Sequence, residues 1–246
     1  MIKLFRNIRQ KLLAEGNTAK YLKYAVGEIV LVVIGILIAL SINNWNENEK
    51  ANKIEEQYLL KLNNDISLMR RIYDKLAKNY PSTIDSAEKG LKYLESKGES
   101  DNLKLDFTNT LLTHQTLPSY PEINTTFNEM ISLGVLARIK NETLKSNITF
   151  IYNLINEGNK SISYFRDELG RASESIYKEV VFSYKDKDLI VSYNVEELYS
   201  NKHFINAIVE IIDARQDYYS TIKKITPLLN ETNAMLKKEL RIEEND

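Results

Sequence analysis

The sequence contains no cysteine. No disulfide, thiolate metal site or cysteine nucleophile can form, so a domain exported from the cytoplasm would have to rest on its core alone. Glycine and proline are scarce, 8 and 4 among 246 residues, which argues against a loop-rich chain and for long helices. Histidine occurs only at His114 and His203. Neither has a second histidine or a glutamate three or four residues away, so no helical metal motif is present. There is no glycine-rich phosphate loop, nucleophile elbow or zinc pattern. Neighbouring carboxylates such as Glu55 with Glu56, Glu196 with Glu197 and Glu243 with Glu244 read as solvated faces. Neither enzymatic activity nor a cofactor is expected. Charge of one sign is also missing overall: the formal net charge is −1, made of +5 in residues 1–23 and −6 in the rest. That balance argues against a nucleic-acid partner.

Long apolar runs are equally rare, and the one that exists organises the chain. From Ala25 to Ile42 there are 18 residues with Glu28 as the only charge. As a helix rising 1.5 Å per residue this is roughly 27 Å long, about the thickness of a bilayer's hydrocarbon core. Tyr21 and Tyr24 stand at one end and Trp45 at the other, where amphipathic aromatics anchor a span at the interfaces. Lys3, Arg6, Arg9, Lys11, Lys20 and Lys23 precede the run, while Glu47 and Glu49 follow it. The positive-inside rule therefore predicts a cytoplasmic N-terminus and an external remainder. The segment before the run is longer than the charged region that usually opens a signal peptide, so an uncleaved anchor is expected.

Within the run, Gly27, Gly35 and Ala39 lie on one helical side with Leu31 between them, a surface on which a partner helix could approach closely. Glu28 has two readings. It is either a polar contact to that partner, or an edge carboxyl that snorkels or is protonated. The basic residues before the run fit contacts to anionic lipid, with Ile2, Phe5, Ile8 and Leu12 at helical spacing predicting an interfacial helix.

Gly27-Glu28-Ile29, the stretch from Leu31 to Leu40, and Ile42-Asn43-Asn44-Trp45-Asn46-Glu47 together resemble an uncharacterised family of short single-pass membrane proteins from Gram-negative bacteria. Their usual form is a basic head, a GEI-x-LVVIGILIAL-x-INNWNE anchor and a helical body. Thr126 to Ile148 also resembles the family's glycine-containing turn and following helix start. The resemblance implies a bacterial inner-membrane location with a periplasmic body. It implies no activity, because the family has none established.

Beyond the span the chain reads as three zones: 1–23 cytoplasmic, 24–45 transmembrane and 46–246 extracytoplasmic. Ile54, Tyr58, Leu62, Ile66, Met69, Tyr73, Leu76 and Tyr80 step by three and four, predicting one helix to about Asn79, with Pro81 kinking it or opening the next. Residues 98–141 read as an irregular cap at the end farthest from the membrane, with a short helix capped by Asp106 and another from Thr125 to Leu133. Asn141 caps a near-strict 4-3-4-3 seam from Leu144 to Val180. Residues 184–194 break that seam. A short helix from Val195 to Ser200 leads to a last long helix, in which Pro227 should introduce a kink. Polar seam positions Arg215, Thr226 and Asn233 either fix register or mark where the bundle opens, the latter favoured.

The expected fold is all-α: one transmembrane helix continuing into an elongated antiparallel bundle of about three long helices with a short-helix cap. The expected role is a membrane-anchored interaction or scaffold protein, with an envelope protein or a second copy as partner. The alternative is a ligand-sensing bundle that acts with a partner subunit.

Overall fold

The computed structural model describes residues 18–242. The chain divides into two units, residues 1–56 and 57–246. Helix α1, Thr18–Asn79, is continuous over 62 residues. Thr18 is its first described residue. In the first unit this helix carries the apolar run, and its side chains from Val26 to Trp45 are exposed apart from a partly covered Glu28. The protein therefore has one helix near its N-terminus long and apolar enough to cross a membrane, with none of that stretch buried by the rest of the chain.

The second unit is built from the remainder of α1, then α2 (Pro81–Glu95), α3 (Lys104–Leu112), α4 (Thr125–Ser132) and α5 (Glu142–Glu179). Strands β1 (Val180–Lys185) and β2 (Asp188–Tyr193), then α6 (Val195–Ser200) and α7 (Lys202–Leu240), complete it. Among the described residues its regular secondary structure is helical except for that two-stranded hairpin. Helix α7 runs antiparallel to α1 and α2: Asn233 meets Asn63, Tyr219 meets Ala77 and Arg215 meets Thr83. It also runs antiparallel to α5, where Asn147 meets Met235 and Glu179 meets Asn201.

The expected seams form the core. Leu62, Ile66, Met69 and Tyr73 of α1 are fully buried, as are Leu144, Ile148, Ile151, Ile155 and Ile176 of α5. Each such side chain stabilises by about 1.5–3 kcal/mol on leaving water. Ile54, the first predicted seam position, is exposed instead, so the packed part of α1 starts later. Helix α7 buries a wider face than one seam, adding Phe204, Ala207, Ile211, Tyr218 and Ile225. Pro227 lies within it, in the middle of a continuous helix.

Local signals set the boundaries. Asn141 accepts a hydrogen bond from Leu144 N at 3.1 Å, and Asn201 accepts from His203 N and Phe204 N. Gly98 has φ +79, and a Cβ there would lie 2.8 Å from Val195 Cγ2, so the turn requires glycine. Asp106 is not the cap of α3. It sits inside the first turn and accepts from Ser86 Oγ at 2.8 Å, because a 3₁₀ turn at Asp101–Leu103 starts the helix earlier.

Two larger features depart from the sequence reading. The predicted break at 184–194 is a hairpin that begins at Val180, whose φ −123 and ψ 125 end α5. Val180 is buried as its seam position requires, but as a strand residue. The second is the segment read as a single cap, which the structure divides in two. Residues near Thr110 pack on Gly90 of α2, while Glu129 of α4 reaches Lys61 at 3.9 Å, the end of this unit where α1 enters. The connecting residues, 114–124, form a strap running antiparallel along α5. Leu117 lies by Arg166, Tyr120 by Asn159 and Ile123 by Tyr152.

Candidate functional site

The first candidate is the exposed face of α1 in the span. Glu28, Gly35 and Ala39 fall within a narrow arc at about 100° per residue, with Val32 between them, whereas Gly27 sits roughly 80° away from Gly35. A Cβ added at Gly27 or Gly35 would touch nothing. Beside Glu28 is a shallow groove of about 310 Å³ lined by Ala25, Ile29, Val32 and Val33. Of the four residues expected on a partner-helix face, Glu28, Gly35 and Ala39 share this arc and Gly27 lies at its margin. Trp45 is 66% exposed, as an interface anchor requires. Lys20, Tyr21, Lys23 and Tyr24 belong to α1, and Lys23 is exposed. Lys3, Arg6, Arg9 and Lys11 lie outside the described residues.

The bundle holds a site that sequence reasoning assigned otherwise. Arg215 is 2% exposed. Its guanidinium donates to Thr83 O at 3.1 Å, Thr113 O at 3.0 Å and Thr113 Oγ1 at 2.9 Å. One turn on, Tyr219 Oη donates to Ala77 O at 3.2 Å. That carbonyl stands four residues before Pro81, which has no N–H to offer it. Arg215 and Tyr219 therefore clasp the α1–α2 joint from both sides of the proline, and Arg215 also caps the end of α3. This corrects the reading of Arg215 as a place where the bundle opens. Asn233 is corrected likewise: it is 4% exposed and donates to Asn63 Oδ1 at 3.2 Å and Ser67 Oγ at 2.7 Å. Thr226 is half-buried and bonds its own Ile222 carbonyl.

Around the clasp, Tyr120 stacks on Tyr218 and Tyr80 meets it at a tilt of 48°, each with ring centroids 4.7 Å apart. Burial pushes the Tyr80 hydroxyl up to about 12, with Arg215 opposing, and raises Tyr218 and Tyr73 as well. Tyrosine hydroxyls also satisfy the strap: Tyr73 donates to Pro121 O at 3.1 Å and Tyr152 to Ile123 O at 2.9 Å. Gly158 makes room for the strap, since a Cβ there would lie 2.8 Å from the Tyr120 ring.

Two of the bundle's open depressions bear on binding. One, about 450 Å³ between α5 and α7, has Phe165 and Leu169 as floor and Arg171, His203, Glu210 and Asp213 at its rim. The other, about 660 Å³, is apolar and lies between Ile131, Leu136 and Phe150. Ile131, Leu133 and Phe150 are all more than half exposed. His114 is buried by Tyr177 and Phe182, with Nδ1 donating to Leu111 O at 2.6 Å, and burial lowers its pKa. His203 is exposed. Among the described residues no three His, Asp or Glu side chains converge to hold a metal ion.

A model of a family of unknown function, DUF6090, matches residues 28–212. The chain belongs to that family. No curated protein and no solved structure matches it. The DUF6090 match opens at Glu28 inside the span and takes in the strap, both short helices α3 and α4, and the hairpin.

Proposed function

We propose that this DUF6090 protein is a membrane-anchored interaction or scaffold protein of the bacterial envelope, with residues 1–23 cytoplasmic and the bundle periplasmic in a Gram-negative cell. The observation that supports this most is the contrast in cover. Among the described residues, the side chains from Val26 to Ile42 are exposed apart from a partly covered Glu28, while the bundle's seam residues are buried. A filled bundle with an exposed apolar area at Ile131, Leu133 and Phe150 suits docking better than chemistry. The face with Glu28, Gly35 and Ala39 receives a partner helix, and the basic head holds the N-terminus against anionic lipid.

The test is crosslinking in intact cells followed by gentle solubilisation through a C-terminal tag. A stoichiometric membrane protein should co-purify, and Glu28→Leu or Gly35→Leu should remove it. Recovery of the chain alone would end the complex-subunit reading. A second reading, ligand sensing with a partner subunit, draws support from one observation. The cleft between α5 and α7 is a polar space with Arg171 at its rim.

A further inference from the structure

We propose that the β1–β2 hairpin is a self-association element, and that the outer edge of β1 pairs with the same edge of a second copy. Residues 180–185 pair with 188–193 and with no third strand. Val180 N closes the end of α5 on Ile176 O, and among the described residues no backbone hydrogen bond joins residues 181–193 to anything outside the hairpin. Each strand therefore has an outer edge on which alternate residues point N–H and C=O away from the pair.

Native edges of this kind are normally blunted by a bulge, a proline or a charge within the strand. Here the six-pair register has no bulge and no proline, and the charges are confined to Lys185–Asp188 at the turn. Val181 and Tyr184 are 65% and 78% exposed. The hairpin is held in place from the other side: Phe182 packs on His114 and Tyr177, and Tyr193 meets Phe107 edge-on at 5.2 Å. A two-stranded ribbon is marginal alone, whereas two ribbons joined at an edge make a four-stranded sheet.

A second copy fits that edge for three reasons. From Val180 to Tyr184 the strand is uncharged, so no like charges face each other along the pairing. Antiparallel pairing about a two-fold places the two Lys185 side chains at opposite ends, where a parallel one would set them side by side. Anchoring in one membrane supplies the high effective concentration that a short interface needs, a step that rests on the membrane-anchor reading above. A two-fold through Ser183 sets Phe182 opposite Tyr184 and Val181 opposite the aliphatic stem of Lys185. A two-fold one residue earlier would bring Val180, 3% exposed against the bundle, into the new interface.

The absence of cysteine makes a direct test available. Single cysteines are placed in turn at positions 181 to 185 of the full chain, and native membranes are treated with a mild oxidant. Residues directly opposite in an antiparallel pair have Cα atoms about 4.5–5.5 Å apart, within disulfide range. Ser183→Cys should give a covalent dimer at least about fivefold more abundant than any neighbour, because one residue alone faces its own copy. Adding Val181→Lys to Ser183→Cys should reduce that dimer severalfold, with unchanged helicity showing that the fold is intact. No dimer at 183, or equal dimer at all five positions, overturns the proposal. Alkaline carbonate washing of the same membranes separates the two readings. Loss of the chain to the supernatant refutes the anchor, and the crosslinking pattern of the concentrated supernatant still decides the hairpin.

Discussion

Helix α1 carries two hydrophobic patterns in one element. From Val26 to Ile42 it is apolar around its circumference except at Glu28, and exposed except at that partly covered residue. From Leu59 to Tyr73 it is apolar on one side, and that side is buried, with Leu62, Ile66, Met69 and Tyr73 at 0% exposure. Backbone geometry is the same in both stretches. On the proposed membrane reading the difference lies in what covers the side chains: lipid is apolar in every direction, whereas a bundle covers one face and leaves the other to water. The teaching is that hydrophobic pattern reports the solvent of a helix and says little about where the helix stops.

A charge inserted into each stretch should break them in different ways. Ile66→Arg buries an unpaired cation in a filled core and should cost more than about 4 kcal/mol, enough to unfold the bundle. The chain should remain in the membrane fraction. Ile36→Arg should cost about 2.5–3.5 kcal/mol of insertion and leave the thermal melt of the inserted protein unchanged. Thermal melts beside membrane fractionation check both. If Ile36→Arg lowered the melting temperature of inserted protein as much as Ile66→Arg, the two stretches would not be independent.

Alkali should sharpen the same contrast. Tyr80, just beyond the end of α1, has its hydroxyl raised to about 12 by burial, and Tyr193 is raised to about 12 in the same way. A folded pKa above the ordinary value of about 10 contributes stability that is whole below pH 10 and is lost as pH rises through 12. The bundle should therefore melt cooperatively between about pH 10 and 12, with buried tyrosinate absorbance appearing in step with lost helicity. The stretch from Ala25 to Ile42 contains no tyrosine and should stay helical. Gradual ionisation without loss of helix would contradict this assignment.

What the sequence made legible was whatever is encoded locally. The span, the end of α1 at Asn79, the Asn141 cap and the helix at Val195–Ser200 each follow from a few adjacent residues. The hairpin escaped because its turn, Asp186-Lys187, has φ +52 and +74 without the glycine or asparagine that usually marks two left-handed positions. Val180 also kept the helical seam in phase. The strap escaped because its backbone is satisfied by tyrosines and an arginine remote in sequence. Arg215 was misread for the same reason: its acceptors lie 132 and 102 residues away. In the apolar run, helical geometry alone puts Glu28, Gly35 and Ala39 on one arc and Gly27 roughly 80° from Gly35.

The smallest expected effect concerns the polar pair within the buried stretch. Asn63 and Asn233 are 8% and 4% exposed and are joined at 3.2 Å, with Ser67 as a third member at 2.7 Å from Asn233. Asn233→Leu strips both Asn63 Oδ1 and Ser67 Oγ of their donor and should cost about 1–3 kcal/mol. Asn63→Leu should cost less, because Asn233 keeps Ser67. Replacing both by leucine removes the donor with its main acceptor, so the double variant should come within about 1 kcal/mol of the parent. A double-mutant cycle read by urea unfolding gives the coupling, and strictly additive losses would remove the pair from the account. If the pair fixes register, the stable double variant should still show faster amide exchange along α1 and α7 around residues 63 and 233. A seam of leucines alone tolerates sliding by a turn, and a hydrogen bond between two particular asparagines does not.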